Sequence, residues 1–216
     1  MKKVVIPIVL ALINLSVVAG NDPYTEAMSE GMKMLKEAQG SQDFLAVANK
    51  FERISEAENE KWHPAYHASY AMTIVAAMEQ DPSKKDENLD AAQALIEKAA
   101  ALDHNESEVL ALQGFIYMIR IGVDPASRGQ QYSGMSAASL QKAKAIDPEN
   151  PRVLYMLAQL SFGTAQFFGS DTSEACGLNE QALEKFNAME EIESEDPFAP
   201  SWGKNMAEGF NAQCGN

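Results

Sequence analysis

Apolar residues recur along most of the chain at intervals of three and four positions. Leu89, Ala92 and Ile96 begin one such series, and Ala99 and Leu102 continue it. This spacing puts apolar side chains on one face of an α-helix, and that face must pack against another helix. No period-two run of useful length occurs, so β-strands are not expected. The pattern predicts an all-α protein.

Asp-Pro pairs separate the helical segments at regular places. The pairs are Asp81-Pro82, Asp124-Pro125, Asp147-Pro148 and Asp196-Pro197. Proline cannot continue the interior of a helix, whereas aspartate caps a helix start. We therefore expect each pair to end or begin a helix, which gives helix pairs joined by short turns, as in an α-solenoid or a bundle of helical hairpins.

Two segments repeat one arrangement of small and large residues. Ala92, Ile96 and Ala99 in the first segment match Ser136, Leu140 and Ala143 in the second. An apolar residue and an aspartate, followed by a turn, end each copy. Gly114 and Ala158 then occupy matching positions in the helices that follow, where a small residue allows close helix approach.

This repeat resembles the tetratricopeptide repeat (TPR), whose second helix ends in a similar Leu-Asp-Pro-Asn turn. The resemblance covers roughly residues 40–200. The copies lie farther apart than the 34 residues of a standard repeat, and we attribute the excess to an inserted loop at 122–134. The resemblance implies a short α-solenoid of antiparallel helix pairs, with about three irregular TPR-like units plus flanking helices.

A narrower resemblance rests on five short motifs in a fixed order. They are Asn49-Lys50-Phe51-Glu52-Arg53-Ile54, Trp62-x-Pro64-x-Tyr66, Val123-Asp124-Pro125-x-Ser127-Arg128, Phe168-Gly169 and Trp202-Gly203. Together they look like a family of short exported TPR-containing proteins of Bacteroidetes-type bacteria. This resemblance implies the fold and export, and it assigns no biochemical activity.

Residues 1–19 have the pattern of a secretory signal peptide. Lys2 and Lys3 precede an apolar run from Val4 to Val18, and the small residue Ala19 follows. The run is shorter than the ~20 apolar residues of a membrane span. We expect cleavage after Ala19, which leaves residues 20–216 as a TPR-like helical repeat domain, periplasmic or secreted, with no membrane-spanning segment.

Export places the two cysteines in an oxidising compartment, where disulfides persist. Cys176 opens one predicted helix and Cys214 closes the last. In an antiparallel pair that turns near Pro197, the two cysteines lie at similar heights, offset by roughly 6 Å along the helix axis. We expect a disulfide between them, and two unpaired thiols are the alternative.

The charge balance narrows the classes of partner. The chain has 31 acidic and 17 basic residues, for a formal net charge of −14. This charge repels nucleic acid and anionic lipid headgroups, so neither is an expected partner. Phosphate-cradling glycine motifs and nucleophile motifs are absent from the sequence. His63 and His67 have no third ligand at metal-binding spacing, so we expect no catalysis, cofactor or metal.

The TPR resemblance implies a concave face lined by the first helix of each pair. The residues expected there are Glu108, Phe115, Met118, Arg152, Tyr155, Gln159 and Phe162. Mixed aromatic and polar side chains suit an extended peptide or a partner helix. The alternative is that Phe115, Met118 and Phe162 fill the interior of a short, closed bundle. Trp62, Trp202 and the Phe167-Phe168 pair are interpreted as wedges between helices, and ligand platforms are the alternative.

Asp124 and Arg128 share one proline-containing segment. Asp124 is expected to cap a helix, and Arg128 to pair with Asp124 or with a backbone carbonyl as a structural latch. A clamp for a ligand carboxylate is the alternative.

The sequence favours an exported, non-catalytic TPR scaffold for a protein or peptide partner. The alternative is a solute-binding protein that encloses a small ligand between helices. The sequence specifies neither the partner nor the oligomeric state.

Overall fold

The computed structural model describes residues 22–102, 106–190 and 194–215. These ranges form nine α-helices and no β-strand, which confirms the predicted all-α class. The helices are α1 (Pro23–Glu37), α2 (Ser41–Ala57), α3 (Trp62–Met78), α4 (Pro82–Leu102), α5 (Glu106–Ile121), α6 (Pro125–Ile146), α7 (Pro151–Phe168), α8 (Ser173–Glu190) and α9 (Lys204–Asn211), with a 3-10 turn at Ala212–Cys214. The expected signal peptide lies outside the described residues.

Three antiparallel hairpins form the body of the molecule. Helix α3 packs along α4, α5 along α6, and α7 along α8. Helices α1 and α2 flank the first hairpin, and α9 packs on α8 at the other end. This order of adjacent helix pairs confirms the predicted solenoid-like arrangement of three units plus flanking helices. Among the described helices, none combines the length and the hydropathy that crossing a membrane requires.

The helix boundaries follow the polar and proline positions, with one exception. The Asp124 carboxylate accepts the backbone N–H of Ser127 (3.3 Å) at the start of α6. Asn150 likewise accepts the backbone N–H of Arg152 (2.9 Å) at the start of α7. Asp196 instead accepts the N–H of Phe198 (2.9 Å) within a turn, and α9 begins only at 204. The prediction that each Asp-Pro pair borders a helix is therefore wrong at Asp196.

The small residue at Gly114 allows α5 and α6 to approach closely. A Cβ atom at Gly114 would lie 2.7 Å from the side chain of Leu140. The Ser136 hydroxyl also donates to the Gly114 carbonyl over 2.9 Å. A larger residue at Gly114 would push Leu140 away and disturb this bond, so glycine is favoured at position 114 for steric reasons.

The segment that exceeds the TPR length lies in a helix rather than in a loop. Residues 125–134 form the first turns of α6, and the structure thus corrects the expectation of a long inserted loop. Arg128 pairs with Asp86 of α4 through two hydrogen bonds of 2.6 and 2.8 Å. The expected pairing with Asp124 is wrong, because the Asp124 carboxylate accepts both the backbone N–H and the hydroxyl of Ser127.

The predicted disulfide between Cys176 and Cys214 is present. Their Cα atoms lie 5.7 Å apart, and 38 positions separate them in sequence. The connection between α8 and α9 is longer than the expected turn near Pro197, and it crosses to α3 before it returns to α8. The disulfide therefore closes a long loop that leaves α8, contacts α3 and returns to α8.

Replacing both cysteines, Cys176→Ser with Cys214→Ser, should lower the free energy of unfolding by about 4 kcal/mol. The reason is that the opened loop regains conformational entropy in the unfolded chain. Urea denaturation of both proteins measures the difference, and reduced wild-type protein should match the double variant. A loss below about 1 kcal/mol would contradict the expectation.

Candidate functional site

The first helices of the three hairpins meet at a buried polar cluster. Tyr66 of α3, Glu108 of α5 and Arg152 of α7 lie near the starts of their helices. The Tyr66 hydroxyl donates to the Glu108 carboxylate over 3.2 Å. The cluster therefore links all three hairpins through side chains on the face that the TPR resemblance assigns to ligands.

Glu108 and Arg152 form a buried ion pair with two hydrogen bonds. Arg152 Nε donates to Glu108 Oε2 over 2.7 Å, and Arg152 Nη2 donates to Oε1 over 2.8 Å. The two residues are only 4% and 3% exposed. Asn150 Nδ2 also donates to Glu108 Oε1 over 2.8 Å. An ion pair can be buried at a small net cost in free energy when both partners also form their remaining hydrogen bonds.

The ion pair also sets the protonation of its neighbours. Burial opposes the charge of Arg152, but the Glu108 carboxylate outweighs it and holds the pKa of the guanidinium above its ordinary value. Burial, and then the Glu108 charge, raise the pKa of Tyr66 well above its ordinary value. The phenol of Tyr66 therefore stays neutral and acts as a hydrogen-bond donor to Glu108.

The C-terminal segment, residues 194–215, covers this cluster. Trp202 stacks between Tyr70 and Phe115, with ring centroids 5.1 and 5.8 Å away. Its indole Nε1 donates to the Tyr66 hydroxyl over 2.8 Å, and its carbonyl accepts from Arg152 over 3.3 Å. Trp202 is thus the wedge that the sequence analysis expected, held between α3 and α5.

Gly203 permits the chain to turn beside this wedge. Its φ of +110° lies in the region that favours glycine. A Cβ atom there would also lie 2.7 Å from the ring of Phe186 on α8. Both backbone conformation and space therefore require glycine in the Trp202-Gly203 motif.

Two histidines of α3 hold the start of the same segment. His67 Nε2 bonds to the carbonyl of Phe198 over 2.8 Å, so this nitrogen carries the proton. His63 Nε2 lies 2.7 Å from Asp196 Oδ2. Burial lowers the pKa of His67 to about 4, which keeps its ring neutral. No group of three metal-ligating side chains occurs in the described part of the chain.

Helix α9 covers Tyr155 and Phe162 of α7. The ring of Phe210 lies 4.9 Å from that of Phe162 and 6.5 Å from that of Tyr155. The Asn179 amide of α8 donates to the Ala207 carbonyl over 3.0 Å. The disulfide to α8 follows directly, so apolar, polar and covalent contacts fix α9 against α7 and α8.

The structure divides the seven predicted groove residues into two groups. Glu108, Phe115, Arg152, Tyr155 and Phe162 are buried, whereas Met118 and Gln159 are half-buried. Tyr66, Tyr70 and Phe210 were not expected at this face, because no local pattern in the sequence brings residues 66–70 and 210 together. The pair Trp202-Gly203 is the local signal in the covering segment, since it joins a large aromatic residue to a glycine.

Phe167 and Phe168 are not wedges between helices. They are 78% and 74% exposed at the end of α7, and their rings contact each other edge to face. The expectation that they pack between helices is wrong, because α7 ends at Gly169 and both side chains project beyond the packed part of the helix.

Comparison with known proteins gives a structural relative. No protein-family model and no curated protein matches the chain. The solved structure of the HusA haemophore from Porphyromonas gingivalis is similar, with a TM-score of 0.78 and 27% sequence identity. The match covers 88% of this chain and 92% of that chain. The chain thus shares its all-helical fold with a binding protein of a Bacteroidetes bacterium, and the TPR resemblance rests on the repeat positions themselves.

Replacing Arg152 with methionine should lower the free energy of unfolding by about 3–5 kcal/mol, because Glu108 would remain buried without its counter-charge. Adding Glu108→Gln should recover at least about 1 kcal/mol, since no unpaired charge stays buried and the amide oxygen can still accept from Asn150. Guanidinium denaturation measures both effects. Arg53→Met, at an exposed position, is the control and should change stability by less than about 0.5 kcal/mol. Additive losses in the double variant would contradict this expectation.

Stability should also fall as the pH drops from 6.5 towards 4, in part because of His67. Its pKa is about 4 in the folded protein against the ordinary 6.5, so the unfolded chain takes up the proton first. His67 therefore does not lower the free energy of unfolding above pH 6.5. Below pH 4 it lowers this free energy by its full amount, about 3 kcal/mol. His67→Gln can keep the bond to Phe198 without titrating. Denaturation curves at several pH values should show a shallower decline for this variant, and equal slopes would refute the assignment.

Proposed function

We propose that this protein is an exported, non-catalytic binding protein whose ligand is a planar, largely apolar molecule of the haem class. The observation that carries the proposal is the likeness to the HusA haemophore over 88% of the chain at 27% identity. A haemophore is, by its name, a carrier of haem. The predicted signal peptide and the disulfide agree with action outside the cytoplasm.

The proposed binding surface is the part of the concave face that the C-terminal segment leaves half-exposed. Met118 follows Phe115 by one turn of α5, and Gln159 lies between Tyr155 and Phe162 on α7. Aromatic rings and a flexible, polarisable thioether suit the face of a large flat ring system. Ligand contact with this surface would bury apolar area next to the Tyr70–Trp202–Phe115 stack.

The Met118 thioether and the Gln159 amide, rather than imidazole groups, are the proposed contacts. Both histidines that the structure describes bond through Nε2 within the protein, His63 to Asp196 and His67 to Phe198, and their Nδ1 atoms are buried. Apolar ligands bind in concave sites lined mainly by hydrophobic and aromatic side chains with few polar groups. The half-buried Met118 and Gln159, which lie beside the buried rings of Phe115 and Phe162, form a surface of this kind.

A scaffold for a protein or peptide is the competing function. An extended peptide needs a continuous face along several helices. Residues of this chain already cover Tyr155 and Phe162 through Phe210, and they cover Phe115 through Trp202. The remaining free area supports a compact ligand better than an extended one.

Titration of the mature protein with haemin tests the proposal. We expect a saturable change in the Soret band and quenching of tryptophan fluorescence, because Trp202 lies beside the proposed surface. Met118→Glu should weaken binding at least about tenfold, since a carboxylate would lose water against the ring. Met189→Glu is the matched control at an exposed position of α8, and it should bind as the wild type does.

The absence of a saturable Soret change would overturn the proposal, and so would equal weakening by both methionine variants. Crosslinking in cells that captures one reproducible partner, together with no haemin binding, would instead support the scaffold function. The two functions therefore give opposite results in this pair of measurements.

A further inference from the structure

Two adjacent phenylalanines project from the end of α7. Phe167 and Phe168 are 78% and 74% exposed, which makes them the most exposed large hydrophobic side chains in the described part of the chain. Their rings contact each other edge to face, with centroids 5.1 Å apart. Large apolar side chains that are grouped and exposed mark surfaces that contact a protein, a ligand or a membrane. We call this pair the aromatic tip.

The surface around the aromatic tip is uncharged along α7. Residues 153–170 contain no aspartate, glutamate, lysine or arginine, although 22% of the chain is charged. The exposed residues near the tip are Gly163, Thr164, Gln166, Gly169 and Ser170. The Thr164 hydroxyl already donates to the Leu160 carbonyl over 2.8 Å. Because a charge costs far more to remove from water than an apolar or hydrogen-bonded group, this end of α7 suits an apolar environment.

Hydrogen bonds also satisfy part of the backbone at the end of α7. The Ser170 N–H donates to the Ala165 carbonyl over 2.8 Å, and the Gly169 N–H donates to the Gln166 carbonyl over 3.3 Å. The last carbonyls of a helix otherwise depend on water, and unpaired backbone groups are costly in an apolar phase. The tip can therefore approach such a phase with two of these carbonyls already paired.

The area of the aromatic tip distinguishes between classes of partner. A phenylalanine side chain buries 150–250 Å² at most, so two rings that are about three-quarters exposed offer roughly 300 Å² together. A stable protein interface buries about 800 Å² on each partner. The tip is therefore too small to hold a second copy of the chain or another protein by itself. Insertion into a lipid bilayer requires only that apolar groups project beyond the packed surface, as these rings do.

We propose that the aromatic tip inserts into the interfacial region of an uncharged lipid bilayer and holds the protein reversibly at the membrane surface. The formal net charge of −14 repels anionic headgroups, which favours zwitterionic lipid. This contact requires no haem-class ligand, and it goes beyond the proposed function.

Asp171 limits the depth of insertion. This exposed residue follows Phe168 by three positions. Its carboxylate accepts the hydroxyl and the backbone N–H of Ser173 over 2.8 and 3.1 Å, and these bonds hold its pKa below the ordinary value. Because a charged carboxylate stays in water, the rings enter the bilayer while Asp171 remains among the headgroups.

Co-sedimentation of the mature protein with phosphatidylcholine vesicles tests the proposal. We expect a Kd on the order of 1 mM in lipid, weaker than the marginal binding that a single myristoyl chain provides. Phe167→Ser with Phe168→Ser should weaken binding at least about tenfold. Phe167→Leu with Phe168→Leu should bind as the wild type does, because leucine keeps the apolar area. Replacing part of the phosphatidylcholine by phosphatidylglycerol should weaken binding.

A matched control uses two exposed hydrophobic residues away from the tip. Ile146 and Met189 are 46% and 43% exposed, near the ends of α6 and α8. These helices run antiparallel to α7, so both residues lie at the opposite end of the hairpins. Ile146→Ser with Met189→Ser should bind vesicles as the wild type does. Circular dichroism verifies that each variant keeps its helices.

Fluorescence measures the insertion directly. Trp62 and Trp202 are only 9% and 6% exposed, so lipid does not reach the native indoles. Phe167→Trp should add an emission that shifts to shorter wavelength on phosphatidylcholine vesicles and is quenched by brominated lipid. Ile146→Trp should show neither effect.

Four outcomes would overturn the proposal: no vesicle binding at about tenfold the expected Kd, equal losses in the two serine pairs, no emission shift in Phe167→Trp, or tighter binding to anionic vesicles. Self-association without lipid that the Phe167→Ser, Phe168→Ser variant loses would instead assign the tip to a second copy. Haemin binding without vesicles should be the same in this variant as in the wild type. The failure of either proposal is therefore visible independently of the other.

Discussion

The charge of Arg152 can stay inside the protein only because Glu108 lies beside it. Removing two ions from water costs several kcal/mol each, and only close pairing with further hydrogen bonds offsets that cost. The partners come from separate parts of the fold: Asn150 before α7, Tyr66 on α3 and the Trp202 carbonyl in the C-terminal segment. The ion pair is therefore fully hydrogen-bonded only when all three hairpins and the final segment are in their native positions at the same time.

This requirement decides how much of the face formed by the first helices is open to a partner. In an open solenoid the first helices present their side chains to a partner. Here the chain supplies its own occupant, since Trp202 stacks on α3 and α5 and Phe210 packs on α7. The alternative raised from the sequence, in which aromatic residues fill a short bundle, thus describes the buried part of the face. Met118 and Gln159 mark the part that stays accessible.

The sequence predicted what depends on local spacing. Helix positions, the hairpin order and the close approach at Gly114 follow from intervals of three and four and from capping residues. The disulfide followed from counting positions along two helices. The pairing of Arg128 with Asp86 was missed because 42 positions separate them, and no local rule chooses between equivalent carboxylates. Residues 194–203 have no periodic pattern, so their path over the core depends entirely on distant contacts.

The disulfide makes the end of the chain part of a covalent ring that begins in α8. Residues that complete a core at a chain terminus are ordinarily the first to fray. Here Cys214 is bonded to Cys176, so the wedge at Trp202 lies inside the ring rather than on a loose tail. A single protease cut in α9 would leave both fragments attached. For a protein expected to act outside the cell, this closure makes residues 194–214 resist local unfolding and proteolysis as an internal element does.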